Sequence, residues 1–338
     1  MHNLKDKGIK FLKDETILSI SIILAVISSF FVKPNINYLN YINWETILLL
    51  LIIMFIVEIL KNLAVFEKLI RKLLIKIGNT RQLVSILILI SFISSIFITN
   101  DVSLIIFVPF AITALKKVFR ADLIIITVCL QTIAANVGCM ILPIGAPHNI
   151  VMYTTSNISI ESFFLLLVPY ITTSLIFLLT IILFIPKDEI TIHKIGEIEF
   201  NRKHFIKRVI KGVDYYLILT FIALFILIGN LKNMAFFSTL FKTIIIGNEV
   251  ICGVALSQII SNVPAAMLLS GFSNNYPAII IGINIGGFGS LIASMANLIS
   301  YNIILRQCNE YKVRYLIIFT AFNILLLAIL LGVNRLLI

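Results

Sequence analysis

One apolar segment, residues 136–153, constrains the fold most strongly because it cannot form an uninterrupted helix. It reads NVGCMILPIGAPHNIVMY, and Gly138, Pro143, Gly145 and Pro147 fall within ten residues. Proline removes a backbone hydrogen-bond donor and clashes with the preceding helical turn, and glycine is a poor helix former. The sequence therefore predicts a helix that is broken in the middle of an apolar segment.

A second segment, residues 284–301, repeats this pattern and reads NIGGFGSLIASMANLISY. Broken apolar segments in corresponding halves of a chain are typical of the binding site of a transporter. Aligned without gaps, the two segments share Asn136 with Asn284, Gly138 with Gly286, Asn149 with Asn297, and Tyr153 with Tyr301.

Composition places these segments in a membrane. Of 338 residues, 60% are apolar and 13% are charged, whereas a soluble domain is about one-quarter charged. The sequence predicts an all-α polytopic membrane protein. The net charge of +11 is attributed to basic residues at cytoplasmic helix ends and does not indicate nucleic-acid binding. The four cysteines have no C-x-x-C spacing, and the common hydrolase and ATPase motifs are missing, so neither a transition-metal site nor an enzyme is expected.

The order of the apolar segments predicts two membrane repeats, residues 1–186 and 214–338, separated by a basic cytoplasmic connector, residues 187–213. Each repeat contains a short hairpin, 82–115 or 249–272, and a broken helix, 121–153 or 277–305. The second arm of the first hairpin, 102–115, rises only about 21 Å as a helix, and a membrane core is about 30 Å thick. We therefore expect re-entrant hairpins.

Lysine and arginine predict the orientation. With the N-terminus in the cytoplasm, the external side keeps only Lys33, Lys232, Lys242 and Arg335 of the 27 basic residues, as the positive-inside rule requires. The C-terminus is then external. The two repeats acquire opposite topology, and their hairpins and breaks meet near the membrane midplane.

Four motifs carry a family resemblance: TNDVSLIIFVPF, ANVGCMILPIGAPHN, SNVPAAML and GINIGGFGSLIASMAN. Together they resemble the ion transporter superfamily, and within it the anion permeases related to citrate and dicarboxylate–sodium symporters and to arsenite efflux permeases. The resemblance implies a scaffold part and a transport part, a possible homodimer, and a small anionic substrate. It also implies Na⁺ or H⁺ as the coupling ion and no other cofactor.

The resemblance also implies which residues form the site. Two departures from the dicarboxylate pattern matter, because Asp101 replaces a threonine at the first hairpin tip and Val263 with Pro264 replaces another at the second. The implied substrate-binding residues are Thr99, Asn100, Ser261, Asn262 and Pro264. The implied coupling-ion residues are Asp101, Asn100, Asn136, Gly138, Gly145, Asn149, Asn262, Asn284, Gly286, Gly289 and Asn297.

Several of these residues have a second interpretation. A carboxylate at membrane depth is costly and is by default functional, so Asp101 suits a bound cation or a carried proton; alternatively it caps a helix. The tip asparagines bind ligands or cap local turns. The glycines expose carbonyl groups to an ion or allow close helix packing. His148 relays protons together with Asp101, or fills a satisfied packing position.

These observations predict an ion-coupled secondary transporter of a small anion, a carboxylate or an oxyanion, in the plasma membrane. A cation/proton antiporter and an arsenite efflux permease are the alternatives, because Asp101 fits either. A membrane-embedded enzyme would need a constellation for which only Asp101 and His148 are available. A channel is disfavoured by the hairpin repeats.

Overall fold

The computed structural model describes residues 15–63, 77–190 and 205–337, and in these ranges the chain is helical apart from turns and short connections. The described helices are α1 (Thr16–Ser29), α2 (Tyr38–Tyr41), α3 (Trp44–Asn62), α4 (Thr80–Phe97), α5 (Asn100–Lys117), α6 (Ile124–Gly138), α7 (Pro147–Ser156), α8 (Ile160–Leu183), α9 (Phe205–Gly212), α10 (Tyr215–Asn233), α11 (Ala235–Ile245), α12 (Glu249–Ile260), α13 (Asn262–Phe272), α14 (Tyr276–Gly286), α15 (Met295–Gln307) and α16 (Lys312–Leu337).

The chain is an all-α polytopic membrane protein, as the sequence predicts. Within the described ranges, five helical segments are long and apolar enough to cross a membrane, or six if α11 and α12, which meet at 113°, count as one span. The five segments are Thr80–Phe97, Ala121–Gly138, Ile160–Leu183, Phe205–Asn233 and Asn309–Leu337. The helix α3 is as long, with 19 residues, but it carries Glu45, Glu58 and Lys61.

Two helices differ in length from the sequence-based expectation. The first span, predicted as 17–32, forms a helix of only 14 residues. The second hairpin arm, predicted as a short run over 102–115, forms the 18-residue helix α5. Asn100 and Asp101 form its first turn instead of a loop, and Pro109 is accommodated within it. Since 18 residues rise about 27 Å, this arm is longer than predicted but is still shorter than a membrane core of about 30 Å, and the re-entrant hairpins stay a prediction.

Both broken segments are interrupted where glycine and proline disfavour a helix. The first ends at Gly138 and resumes at Pro147, after a single turn at Pro143–Gly145. Pro147 occupies the first helical turn, where a missing N–H is harmless. The second ends at Gly286 and resumes at Met295. We call residues 139–146 the first break and residues 287–294 the second break.

The two halves pack their elements in equivalent ways. Helices α4 and α5 form the first hairpin against α6, and α12 and α13 form the second hairpin against α14. Each hairpin also crosses to the other half, because α5 packs on α15 and α13 packs on α7. Each hairpin thus contacts the broken helices of both halves.

Helices α1, α2, α3 and α10 form a second layer beside this core. Helix α10 packs against α1, α2 and α3, and it also contacts α13. A separate apolar cluster joins α3 and α10, through Leu50 and Phe221, to Ile150 and Val151 of α7 and Met267 of α13. The described structure therefore has a large core around the breaks and a smaller interface between that core and α3 and α10.

Ion pairs and hydrogen bonds stabilise helix ends outside the core. Arg120 contacts Asp122 and Asp188 and so links the start of α6 to the segment after α8. The hydrogen bond to Asp122 is the main cause that raises the pKa of Arg120 above its usual range. Glu58 is buried and accepts hydrogen bonds from Lys61 and Asn62. Much of the predicted connector, residues 187–213, lies outside the described residues.

Candidate functional site

Four buried asparagines join the two broken helices in a nearly symmetric network. Asn136 donates to Asn297 Oδ1 at 2.9 Å, and its counterpart Asn284 donates to Asn149 Oδ1 at 2.8 Å. Asn149 also donates to Cys139 O at 3.0 Å, and Asn297 donates to the equivalent Gly287 O at 3.1 Å. The echo in the sequence is thus matched by two equivalent pairs of asparagines, and each pair contains one residue from each half.

We expect Asn136→Ala and Asn284→Ala to destabilise the protein by similar amounts. Each substitution removes the acceptor or donor of a buried partner, and each buried polar group left unsatisfied costs about 1–3 kcal/mol. The unfolding midpoint of purified protein in detergent measures the effect. The exposed Asn233, changed to alanine, is the matched control, with an expected change below about 0.5 kcal/mol. Midpoints for the two core variants that equal that of the control would contradict this assignment.

The tip of the first hairpin, residues 99–101, lies against the first break. Asn100 is 3% exposed and donates to Asn136 Oδ1 at 2.9 Å, so the tip is tied to the asparagine network. The helix cap position belongs to Thr99 and not to Asp101, which removes the alternative in which Asp101 acts as the cap. Asp101 Oδ1 is buried, and no donor among the described residues reaches it.

A buried carboxylate oxygen without a donor has a specific chemical meaning. Burying an unpaired charge is costly, so such a group is neutralised by a proton or paired with a cation. Within the described chain, Asp101 interacts electrostatically with Asp214, which carries the same charge. The first tip therefore has the chemistry of a proton or cation site.

Three of the predicted glycines allow close packing between hairpin and broken helix. A Cβ atom at Gly138 would lie 2.2 Å from Phe92 O, and one at Gly286 would lie 2.7 Å from Ser257 Oγ. A Cβ atom at Gly145 would lie 2.8 Å from Ser95 O. Real Cβ atoms do not approach so closely, so these positions match the packing interpretation. Gly289 differs because its φ of +108° is a conformation that glycine favours.

The tip of the second hairpin, residues 261–264, is held in a strained conformation. Ser261 has φ 72° and ψ 156°, a region that almost only glycine occupies and that costs about 1–3 kcal/mol for other residues. Its hydroxyl lies 3.4 Å from Asn262 Oδ1. Within the described part of the chain, no side chain caps the start of α13. Strain of this kind is typical of ligand-binding sites.

This second tip opens into a cavity of about 290 Å³. In the described part of the chain, the lining includes Ser261, Val263 and Pro264 of the second hairpin and no residue of the first tip. Thr99 and Asn100 therefore do not share this cavity with the second tip. Glu15 and Asp214 also line the cavity.

Carbonyl groups at the second break already accept hydrogen bonds from side-chain amides. Gln258, which sequence reasoning did not single out, donates to Gly286 O at 2.8 Å and to Phe288 O at 2.9 Å. Asn297 donates to Gly287 O and Ser290 O, both at 3.1 Å. The expected arrangement of open carbonyls is thus replaced, in this half, by carbonyls that amide groups satisfy.

His148 lies at the junction of the two halves, and none of its described hydrogen bonds reaches the first tip, residues 99–101. It is 2% exposed, and its Nε2 lies 3.4 Å from Asn284 Oδ1. The equivalent interaction on the other side comes from Ser294, which donates to Asn136 Oδ1 at 3.4 Å. His148 thus contacts Asn284 as Ser294 contacts Asn136, although the alignment of the two segments pairs His148 with Ala296.

Known proteins resemble this chain over most of its length. Residues 9–275 match the citrate transporter family, CitMHS. An uncharacterized transporter of Methanocaldococcus jannaschii is 31% identical over 322 residues, which cover 84% of this chain and 86% of the relative. The inner membrane protein YbiR of Escherichia coli is 26% identical over 345 residues, covering 90% and 91%. A shorter region of 125 residues is 29% identical to the Dictyostelium discoideum protein named as transporter arsB and covers 37% and 22%.

Proposed function

This chain belongs to the citrate transporter family, and we propose that it is an ion-coupled secondary transporter of a small carboxylate or oxyanion. Membership of the family makes it a membrane transporter and not an enzyme. The coupling ion, the anion and the residues that bind them are the proposal.

The anion binds at the hairpin tips. Helices α5 and α13 begin at these tips, and the positive end of a helix dipole and its free N–H groups attract anions. The start of α13 lacks a side-chain cap and faces a cavity of about 290 Å³. Ser261 and Asn262 add a hydroxyl and an amide. Pro264 also lines this cavity, whereas Thr99 and Asn100 are proposed to bind the anion at the first tip.

The coupling ion binds at the first tip, and one observation carries this part of the proposal. Asp101 Oδ1 is buried without a described donor, so a proton or Na⁺ at this oxygen compensates the charge. A cation there also offsets the repulsion between Asp101 and a bound anion, which gives a physical reason for coupled binding. The adjacent Asn136 and Asn149 hold the broken helices together around the site.

We also propose the orientation that the basic residues favour, with a cytoplasmic N-terminus and an external C-terminus in the plasma membrane. In this orientation α1 and α10 begin at the cytoplasmic side. The cavity is lined by Thr16 and Asp214, which lie at those beginnings, as well as by the second tip. The second tip is then reached from the cytoplasm in this conformation. A homodimer remains part of the proposal.

A second candidate, a cation/proton antiporter, is favoured by a separate observation. Glu15 and Asp214 line the cavity, whereas no lysine or arginine of the described residues does. A cavity with two carboxylates attracts cations more readily than it attracts a dianion. In this alternative Asp101 binds the transported cation itself.

Ligand-induced stabilisation of purified protein separates the two candidates. Citrate, succinate, sulfate, phosphate and arsenite are each added with and without Na⁺, and the unfolding midpoint is recorded. The proposed function predicts that at least one anion stabilises the protein, by about 2.7 kcal/mol at 100-fold excess over its dissociation constant. Stabilisation by Na⁺ alone, with no anion effect and no flux of any of these anions into proteoliposomes, would favour the antiporter.

A further inference from the structure

The side-chain amide of Gln258, on α12, fills the second break. Its Nε2 donates to Gly286 O and Phe288 O, and its Oε1 accepts from Ser290 N at 2.7 Å. Gly289 lies in close contact with this amide, since a Cβ atom at Gly289 would lie 2.5 Å from Gln258 Oε1. Residues 286–290 therefore form a loop that is organised around one uncharged side chain.

The amide of Gln258 lies where a bound cation would lie if the carbonyl groups of the second break had no other partner. Carbonyl oxygens freed by a broken helix converge on a partially negative site, and a bound cation is one way to satisfy them. Two N–H groups of a carboxamide satisfy them equally well and carry no net charge. Gln258 is permanently present, so this break requires no ion.

Comparison of the hairpins gives the reason why the two halves differ. Ser95 packs on Gly138 as Ser257 packs on Gly286. The two hairpins can therefore be aligned without gaps from Ser95 and Ser257 to the hairpin tips. In this register Gln258 corresponds to Ile96, and Asp101 corresponds to Val263. The first half has the apolar Ile96 in its arm and the carboxylate of Asp101 at its tip. The second half has the polar Gln258 in its arm and the apolar Val263 at its tip.

We propose that Gln258 is a positioning residue that takes the place of a cation at the second break, so that the coupling cation binds only at the first tip. This inference rests on the proposed function, which it deepens by assigning one cation site to each chain. It follows that a single charge-carrying residue, Asp101, sets the cation dependence of the transporter.

Sodium-dependent stability tests this assignment with Asp101→Asn, Gln258→Glu and the double variant. Glutamate at 258 keeps the shape of glutamine but replaces the donor with an acceptor that faces two carbonyl groups, which creates an oxygen-rich site for Na⁺. Melting temperatures are compared in NaCl and in choline chloride at equal concentration. We expect Gln258→Glu to gain a Na⁺-dependent rise of several degrees that persists in the double variant, and Asp101→Asn alone to lack any such rise.

Two results would overturn the inference. A Na⁺-dependent rise that Asp101→Asn retains would mean that the second break binds Na⁺ beside Gln258. A folded double variant without a Na⁺ response would mean that the amide does not occupy a cation position. A measurement on the wild type adds a readout that is independent of variant folding, since a Hill coefficient near two for the cation dependence of uptake would also contradict a single site.

This test remains separate from that of the proposed function. The melting temperatures require no substrate and no flux, so they report on the cation sites whether or not any anion of the panel is transported. Absence of anion stabilisation and anion flux would remove the proposed transport activity while leaving the assignment of Gln258 to be decided by its own Na⁺ responses.

Discussion

Asp101→Asn is expected to abolish gradient-driven uptake while the protein stays folded. Asparagine has nearly the same shape as aspartate but carries no charge, so the variant neither binds a cation strongly nor accepts a proton. We expect the initial rate to fall by roughly 100-fold or more, which corresponds to the loss of a contact to a charged group of about 3 kcal/mol. The initial rate of substrate uptake into proteoliposomes, per amount of inserted protein, measures this effect.

Stability and a matched substitution control this experiment. Because Asp101 Oδ1 has no described donor, the asparagine variant loses no hydrogen bond at that atom and should melt within a few degrees of the wild type. Asp122→Asn makes the same chemical change at an exposed position and should retain full uptake. Normal coupled uptake by Asp101→Asn would show that the carboxylate is not part of the coupling site.

Gly138→Ala is expected to prevent the first broken helix from packing on the first hairpin. The new methyl group would lie 2.2 Å from both Phe92 O and Ser95 Oγ. The serine hydroxyl can rotate away, but the backbone carbonyl of α4 cannot. We expect a loss of stability at or above the upper end of the about 1–3 kcal/mol that is typical of overpacked cores. Monodispersity and melting temperature in detergent are the measurements.

The control for this prediction is another helical glycine. Among the described residues, apart from its chain neighbours and the backbone of α16, no atom lies within 4 Å of a Cβ built at Gly332, and alanine is a better helix former than glycine by about 1 kcal/mol. Gly332→Ala should therefore be as stable as the wild type or more so. If Gly138→Ala behaved like Gly332→Ala, the close approach of α4 and α6 at this point would be wrong.

Candidate site residues could be selected from the sequence because they are chemically unusual in an apolar chain. Glycine and proline cannot continue a helix, so the breaks were predictable from local physics. The echo of Asn136 and Asn149 in Asn284 and Asn297 was equally visible. What the sequence did not contain was the pairing of these asparagines across the halves, because that depends on how α6 and α14 lie relative to α7 and α15.

The sequence-based errors have physical causes as well. The polar pair Asn100 and Asp101 suggested a loop, whereas the first turn of a helix also accommodates polar and acidic residues, so α5 was predicted too short. Gln258 was missed because a single polar residue in an apolar arm had no partner in the sequence. Extending the match of the hairpin tips back to Ser95 and Ser257 would have paired Gln258 with Ile96 and revealed the exchange of polarity.

The central claim is that transport of a small anion is driven by a cation gradient, and flux under an imposed gradient tests it most directly. Proteoliposomes that contain the purified protein are given an inward Na⁺ or H⁺ gradient and the anion that stabilises the protein. The account predicts saturable accumulation above the equilibrium level, collapse of that accumulation when an ionophore removes the gradient, and no accumulation with Asp101→Asn. Flux that only equilibrates, or that fails to saturate and does not depend on Asp101, would contradict it.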